Sequence, residues 1–289
     1  MYAPEVELFA KYRRHVGLLD DNDKKIEKIT IFGGCGKDGK KEEVEKIEMK
    51  MGDVISIVGP TGGGKTALID DIAMFANGNT PTNRRVLIND EVPAEDMMLD
   101  PSRNPIALIT QHTNFLSDMP VQKFLETHTS IRQSGDKESV VKETIEFANQ
   151  LTGEPIILDN AMTELSGGQT RSLLIADAVI IGNSPIILLD EIENAGINRT
   201  KALELLKNYK KIFIFVTHDP RIALLSDFRI VMKNGAMQKV LKTDSDEKKV
   251  MEEIKKLDDL LQSMRNKLRL GERLTTNELE QRLKAMGYL

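Results

Sequence analysis

Val54-Ile55-Ser56-Ile57-Val58-Gly59-Pro60-Thr61-Gly62-Gly63-Gly64-Lys65-Thr66-Ala67 is the stretch whose reading decides the fold. Its first five residues form an apolar, β-branched run expected to be a buried strand, and Ala67–Phe75 has the character of a helix. Between them stand a glycine, four residues and Gly-Lys-Thr, the phosphate-loop pattern in the strand-then-helix context it requires. Gly59, Gly62, Gly63 and Gly64 let successive backbone N–H groups turn inward on phosphate oxygens, with Pro60 and Thr61 completing the loop. Lys65 is expected to reach the β- and γ-phosphates and the Thr66 hydroxyl to ligate magnesium. The helix start at Thr66 and Ala67 adds its partial positive charge. A glycine-rich turn beside a lysine can be a plain loop, but the strand before it and the helix after it argue against that.

Outward from this loop, short apolar runs alternate with longer amphipathic stretches, the pattern of a parallel sheet covered by helices. Strands are expected at Ile29–Phe32, Val54–Val58, Val86–Ile88, Ile106–Ile109, Ile186–Leu189, Ile212–Val216 and Phe228–Met232. Ile186–Leu189 and Ile212–Val216 are almost wholly apolar, as strands buried on both faces should be. Gly33–Lys46, rich in Gly, Lys and Glu, reads as a hairpin loop. Pro120 to Thr163 reads as mainly helical, with Val140, Ile145, Phe147 and Leu151 as candidate buried positions.

Two further motifs carry chemistry. Ile186-Ile187-Leu188-Leu189-Asp190-Glu191 is an apolar strand ending in two carboxylates. Asp190 at its tip is placed to hold the magnesium shell, and Glu191 to polarise an attacking water. Leu165-Ser166-Gly167-Gly168-Gln169 reads as a second anion site, a serine hydroxyl and glycine amides at a helix start.

With these motifs in this order, the chain from about Ile26 to Val240 resembles the ATP-binding-cassette (ABC) family. That resemblance implies an α/β phosphate-loop NTPase sandwich. It has a mostly parallel core sheet, an antiparallel β part and an inserted helical subdomain at about 112–178. It also implies ATP and Mg2+ as ligands and ATP hydrolysis as the activity. Gln111 looks like the glutamine that senses magnesium and the γ-phosphate, and His218 like the switch histidine that contacts the γ-phosphate. Phe32 is a candidate for the aromatic that stacks on adenine, with Tyr12 a weaker one. His15, His112 and His128 stay unassigned. In this family two cassettes pack head to tail, so Ser166 and Gly168 of one copy would close over the ATP held by Lys65 of the other. A homodimer would have two complete sites.

The sequence departs from transporter cassettes after Glu191. Ile192-Glu193-Asn194-Ala195-Gly196-Ile197-Asn198 lacks the usual proline and replaces the final aspartate with Asn198, one residue late. Asp177 sits where an arginine is common. These changes spare the catalytic groups and bear on the turn between the two sites.

The chain divides into an extension at 1–25, a cassette at 26–245 and a C-terminal helical hairpin at 246–289. In the last part Val250, Ile254, Leu257, Leu261, Met264 and Leu268 fall along one helix face. Thr275-Thr276-Asn277-Glu278 reads as a capping box opening a second helix, and Gly287 as its C-cap glycine. Such a hairpin either packs on its own core or serves as a dimerisation or partner-docking arm.

A net charge of −5 and the short span between Gln111 and Leu165, with no room for a long coiled coil, argue against a nucleic-acid partner. One cysteine, Cys35, excludes an internal disulfide and suits a reducing cytoplasm. No run approaches a membrane span and Met1–His15 lacks a signal peptide's apolar core. A transport role would therefore need a separate membrane permease, with the chain cytoplasmic or peripheral on the inner face of the membrane. The competing reading is a soluble ATPase that remodels or activates a protein complex. A regulator with little turnover is disfavoured by the presence of Glu191 and His218.

Overall fold

The computed structural model describes residues 25–100, 103–110, 112–115, 117–132, 136–190 and 199–289. Strands β1 (Lys28–Phe32), β2 (Lys46–Lys50) and β4 (Arg85–Ile88) form an antiparallel sheet in the order β2-β1-β4. In β2, Ile47 and Met49 point inward while Lys46, Glu48 and Lys50 face solvent, the period-two pattern of a one-sided sheet. The main sheet combines β3 (Val54–Val58), β5 (Ile106–Ile109), β6 (Ile186–Asp190), β7 (Ile212–Val216), β8 (Phe228–Lys233) and β9 (Ala236–Lys242). Its order is β5-β6-β7-β3-β8-β9, parallel throughout except for the β8–β9 hairpin.

The alternation of side chains along a strand feeds two cores. Phe213 and Phe215 of β7 enter one cluster, and Ile212, Ile214 and Val216 enter the other. Helix α1 (Lys65–Ala73) packs Leu68, Ile69 and Ile72 into the second cluster, which the antiparallel sheet also covers. After α2 (Glu95–Leu99) and β5 come α3 (Val121–Arg132), α4 (Lys137–Leu151) and α5 (Gly167–Val179). Their buried residues Leu125, Phe147, Leu151 and Leu173 join Leu189 and Phe215 of the sheet in one continuous core. Phe147 and Leu151 are fully buried, whereas Val140 and Ile145 are only half-buried. The inward face of α4 is completed instead by Val141, Thr144 and Ala148, one position from the expected stripe.

At the edge where the parallel strands begin, a row of backbone hydrogen bonds pins their register. The Ile186 amide donates to the Pro105 carbonyl (3.1 Å), Ile212 to Pro185 (2.9 Å), Phe213 to Asp53 (3.0 Å) and Asp227 to Val54 (2.7 Å). The Asp227 carboxylate also accepts from the Val54 amide at 2.8 Å.

Helices α6 (Arg199–Leu206) and α7 (Pro220–Leu225) follow β6 and β7, and the chain closes with α8 (Ser245–Arg269) and α9 (Thr276–Ala285). Thr275 caps α9 by accepting from the Glu278 amide. The Glu278 carboxylate does not complete a capping box, because Lys267 at 2.7 Å and Arg282 at 3.2 Å take it. The C-terminal stripe is largely outward: Val250, Leu257, Leu261 and Leu268 are exposed, while Ile254 and Met264 are half-buried. An own core for the hairpin is therefore not what holds α8. Its buried residues are Met251 and Leu260, nine positions apart along the helix, and ion pairs do the rest.

Candidate functional site

Parallel pairing brings the motif-bearing strand ends to a single edge. Asp190 is opposite Val216, and Val216 is opposite Ile57, which lies two residues before Gly59. With neighbouring strands about 4.8 Å apart, Asp190, the segment after Val216 and the phosphate loop occupy three adjacent strand ends. This is where doubly wound sheets bind ligands, outside the carboxyl ends of their strands. Gln111 comes two residues after β5 in the sequence and Glu191 follows Asp190, but both fall outside the described residues, as do Tyr12 and the run Ile192 to Asn198.

Within the loop, Lys65 is buried and its Nζ donates to the carbonyls of Gly59 (3.0 Å) and Pro60 (3.1 Å). The ammonium thus sits in the ring of the loop rather than in solvent. Gly59 and Gly64 combine a positive φ with a close approach of the β8–β9 hairpin's backbone. Gly59 has φ 151°, and a Cβ there would lie 2.2 Å from the Met232 carbonyl oxygen. Gly64 has φ 96°, and its Cβ would meet Gly235 Cα at 2.6 Å. At Gly62 a Cβ would find nothing within 4 Å, so the loop is open on that side. Thr66 is exposed at the start of α1. An open loop of glycines, a central ammonium, a hydroxyl and the nearby Asp190 carboxylate are a donor set that fits a nucleotide phosphate chain with a hard cation.

Ser166 is the N-cap of α5: its hydroxyl accepts from the Gln169 amide and Gln169 Oε1 accepts from the Ser166 amide at 2.9 Å. Gln169 Nε2 also donates to the Pro155 carbonyl (3.0 Å), which fixes the helix start against the preceding loop. The sequence reading of Ser166, Gly167 and Gly168 as a helix start therefore matches the local structure, and Ser166 and Gly167 are exposed. They stand on the helical region, whereas the phosphate loop stands on the sheet. Deeper in α5, Asp177 pairs with His128 Nδ1 of α3 at 2.6 Å. The unassigned histidine and the unusual aspartate thus account for each other.

Phe32 ends β1 half-buried, with Lys46 Nζ at 5.7 Å and Arg85 Cζ at 5.2 Å from its ring centroid. His218 is exposed just past β7, between the buried Thr217 and Asp219. The Asp219 amide donates to Thr217 Oγ1 (2.9 Å), and Asp219 caps α7 by accepting from the Arg221 amide (2.8 Å). Arg221 returns a two-point contact to that carboxylate, Nε to Oδ1 at 3.0 Å and Nη2 to Oδ2 at 2.6 Å. The hydrogen bonding to Asp219 holds the Arg221 guanidinium above its ordinary pKa.

The sequence reading missed the support beneath the loop. The Asn234-Gly235 turn between β8 and β9 has φ 54° and 83°, and the Gly235 amide donates to the Gly63 carbonyl at 2.9 Å. Lys37 Nζ donates to the Gly62 carbonyl at 2.9 Å. Arg84, fully buried, binds Glu42 through Nε and Nη2 (2.6 Å), Asp71 of α1 through Nη1 (2.8 Å) and the Gly235 carbonyl (2.8 Å). An Asn-Gly pair between two strands was a readable hairpin signal. Nothing in the local sequence marks Arg84.

Comparison with known proteins agrees with this geometry. Residues 44–194 match the family model described as ABC transporter. An uncharacterized ABC transporter ATP-binding protein of Methanocaldococcus jannaschii is 49% identical over 254 residues, covering 88% of this chain and 97% of the relative. The spermidine/putrescine import ATP-binding protein PotA of Bacillus cereus is 33% identical over 201 residues, covering 67% of this chain and 59% of PotA. Among solved structures, a dimeric bacterial ABC transporter cassette superimposes with a TM-score of 0.58 at 22% identity, covering 75% of this chain and 99% of the cassette. A dimeric ATP-binding cassette bound to ADP and Pi gives 0.57 at 20% identity, covering 75% of this chain and 99% of the other. Fold, motif placement and the near full-length relative lead to one assignment: the chain belongs to the ATP-binding-cassette family and is an ATP hydrolase of the ABC type.

Proposed function

We propose that the chain is the ATP-binding subunit of a transporter, working as a head-to-tail pair of cassettes beneath a separate membrane permease. The observation that carries it is the relation to an ABC transporter ATP-binding protein over almost the whole of both chains. No helix among the described residues is long and apolar enough to cross a membrane, which is consistent with a separate permease.

In this reading Gly59–Ala67 cradle the phosphates, Lys65 neutralises the β- and γ-oxygens and Phe32 lies against the adenine. Thr66, Asp190 and Gln111 hold Mg2+, which when bound spreads the charge of the phosphate chain. Glu191 orients the attacking water and His218 meets the γ-phosphate. Ser166, Gly167, Gly168 and Gln169 of the second copy supply a capped helix start whose first amides have no intrahelical acceptor, a ready partner for an anion. The chemistry is positioning and charge stabilisation, so Glu191→Gln lowers turnover about 10²–10³-fold.

A second reading, an ATPase that remodels a soluble complex, is favoured by the C-terminal hairpin with its exposed stripe, beyond the family match at 44–194. Tagged Glu191→Gln, held in Mg-ATP and recovered from membrane and soluble fractions of its host, separates the two. A co-purifying multispanning membrane protein supports transport. A soluble assembly with empty membranes overturns it.

A further inference from the structure

Among the described residues, three ion pairs bind α8 to the body of the protein: Lys255 with Glu204 of α6 at 3.7 Å, and two made by arginines that lead to different places. Arg229 of β8 grips Glu247 with two guanidinium nitrogens, Nη1 to Oε2 at 3.0 Å and Nη2 to Oε1, and so ties the helix to the strand next to the sheet's edge. Arg221 of α7 donates Nη1 to Asp258 Oδ2. The same guanidinium holds both oxygens of Asp219, the residue that follows His218. Arg221 and Asp219 are buried, and the Asp258 carboxylate is about two-thirds covered at 31% exposure. In such surroundings a planar, forked contact fixes orientation as well as distance. Met251 and Leu260 of α8 are buried, and α8 packs along α7.

We propose that Arg221 and Asp258 are positioning residues for His218, so that the C-terminal hairpin sets the stance of the switch segment. The chain of contact runs from Asp258 on α8 through the Arg221 guanidinium to Asp219, whose main chain is continuous with His218. This deepens the preceding section's reading, since it rests on His218 acting at the γ-phosphate. A displacement of α8 then alters turnover more than ATP binding, because the phosphate loop is continuous with β3 and α1, whereas His218 is continuous with α7.

The test uses the purified full chain with Mg-ATP, measuring kcat, KM and hydrogen exchange over Thr217–Leu225. Asp258→Ala is expected to lower kcat about three- to tenfold, the scale of one coupling contact, with KM changed less than about twofold. Exchange over Thr217–Leu225 should quicken. Asp258→Asn, which keeps an acceptor oxygen, should recover most of the rate. Glu247→Ala cuts a different tether of the same helix and should leave both kcat and exchange near wild type. In a His218→Ala background, Asp258→Ala should cost nothing further. Equal losses from Asp258→Ala and Glu247→Ala would reduce α8 to a structural strut and overturn the proposal. So would an unchanged kcat with unchanged exchange in Asp258→Ala. Should His218→Ala itself retain full turnover, the underlying reading of the histidine fails instead, and the exchange data still report whether Asp258 holds the segment.

Discussion

Arg84→Met is the substitution that most directly probes how the phosphate loop is supported. The wild-type guanidinium is surrounded by Glu42 and Asp71, and the three side chains are 0%, 0% and 3% exposed respectively. Desolvation of Arg84 is offset by these two carboxylates, which together hold its pKa above the ordinary arginine value. Removing the cation leaves two buried carboxylates without their counter-ion. The Glu42 carboxylate retains the amides of Gly34 (2.9 Å) and Met237 (2.5 Å), and Asp71 retains Thr82 Oγ1 (2.8 Å). Those partners do not replace a full positive charge, so the expected loss is about 3–5 kcal/mol, the cost of breaking a buried ion pair on one side. Against a total stability of about 5–15 kcal/mol this is a large fraction. It corresponds to a melting temperature lower by about 6–15 °C.

Urea unfolding followed by circular dichroism measures the loss. The double variant Arg84→Met/Glu42→Gln supplies the control, because a glutamine buries no charge and its oxygen still accepts from one of the two amides, Gly34 on Oε2 or Met237 on Oε1. It should recover a substantial part of the penalty, giving a coupling energy between the two sites above about 1 kcal/mol. A loss below about 1 kcal/mol for Arg84→Met would refute the reasoning. So would a double variant whose loss is the sum of the singles. Because Arg84 also holds the Gly235 carbonyl and the Gly235 amide holds Gly63, ATP affinity should fall with stability in the single variant.

Three further outcomes follow from particular contacts. Gly59→Ala should abolish ATP binding measured by fluorescent-nucleotide titration, since its Cβ would strike the Met232 carbonyl. Gly62→Ala, with φ 74° and open space around it, should lose only the roughly 1–2 kcal/mol of a left-handed alanine. Ser166→Asp keeps an α5 cap and should melt within a few degrees of wild type, yet its charge should repel phosphate and suppress turnover. Ser166→Ala should instead lose about 1 kcal/mol of stability as well. Lys211, buried with its Nζ on Asn183 Oδ1 and the Ser184 carbonyl, has its pKa pushed down by burial to about 8 from 10.5. The unfolded chain therefore binds more protons between those values, so stability should rise as pH climbs through that window. The rise should be smaller in Lys211→Met when melting temperatures are compared at pH 7.5 and 9.5.

What could be read from the sequence was whatever is local. Ile186–Leu189 and Ile212–Val216 announced themselves as strands because both their faces are buried, leaving apolar runs with no polar interruption, and Val54–Val58 did so with only Ser56 to break it. The phosphate loop was legible because its conformation needs glycines in fixed places. Lys46–Lys50 escaped because only Ile47 and Met49 face inward, and three charged residues mask a two-step alternation. Its neighbour Gly33–Lys46 looked like a loop, and it is one, but Glu42 within it is fully buried on Arg84. That contact spans 42 residues of sequence, as the His128–Asp177 pair spans 49 and the Arg221–Asp258 pair 37. Pairings of that kind are fixed by topology, and neither periodicity nor residue type at one position discloses them. The stripe from Val250 to Leu268 taught the complementary lesson: spacing showed that the residues share a face, and only packing could show that the face looks outward.

The row of hydrogen bonds linking Pro105, Pro185, Asp53 and Val54 to the next strands lies at the opposite edge of the sheet from the chemistry. Strand alignment is therefore decided before the chain arrives at Gly59, Asp190 or His218. The segments leaving those strand ends are thereby released from any duty to keep the strands in step. Those segments can be lengthened, shortened or rewritten while the strands keep their register. An engineer who wishes to retune how this cassette answers its partner should cut and graft at that exit edge, and leave the entry edge alone.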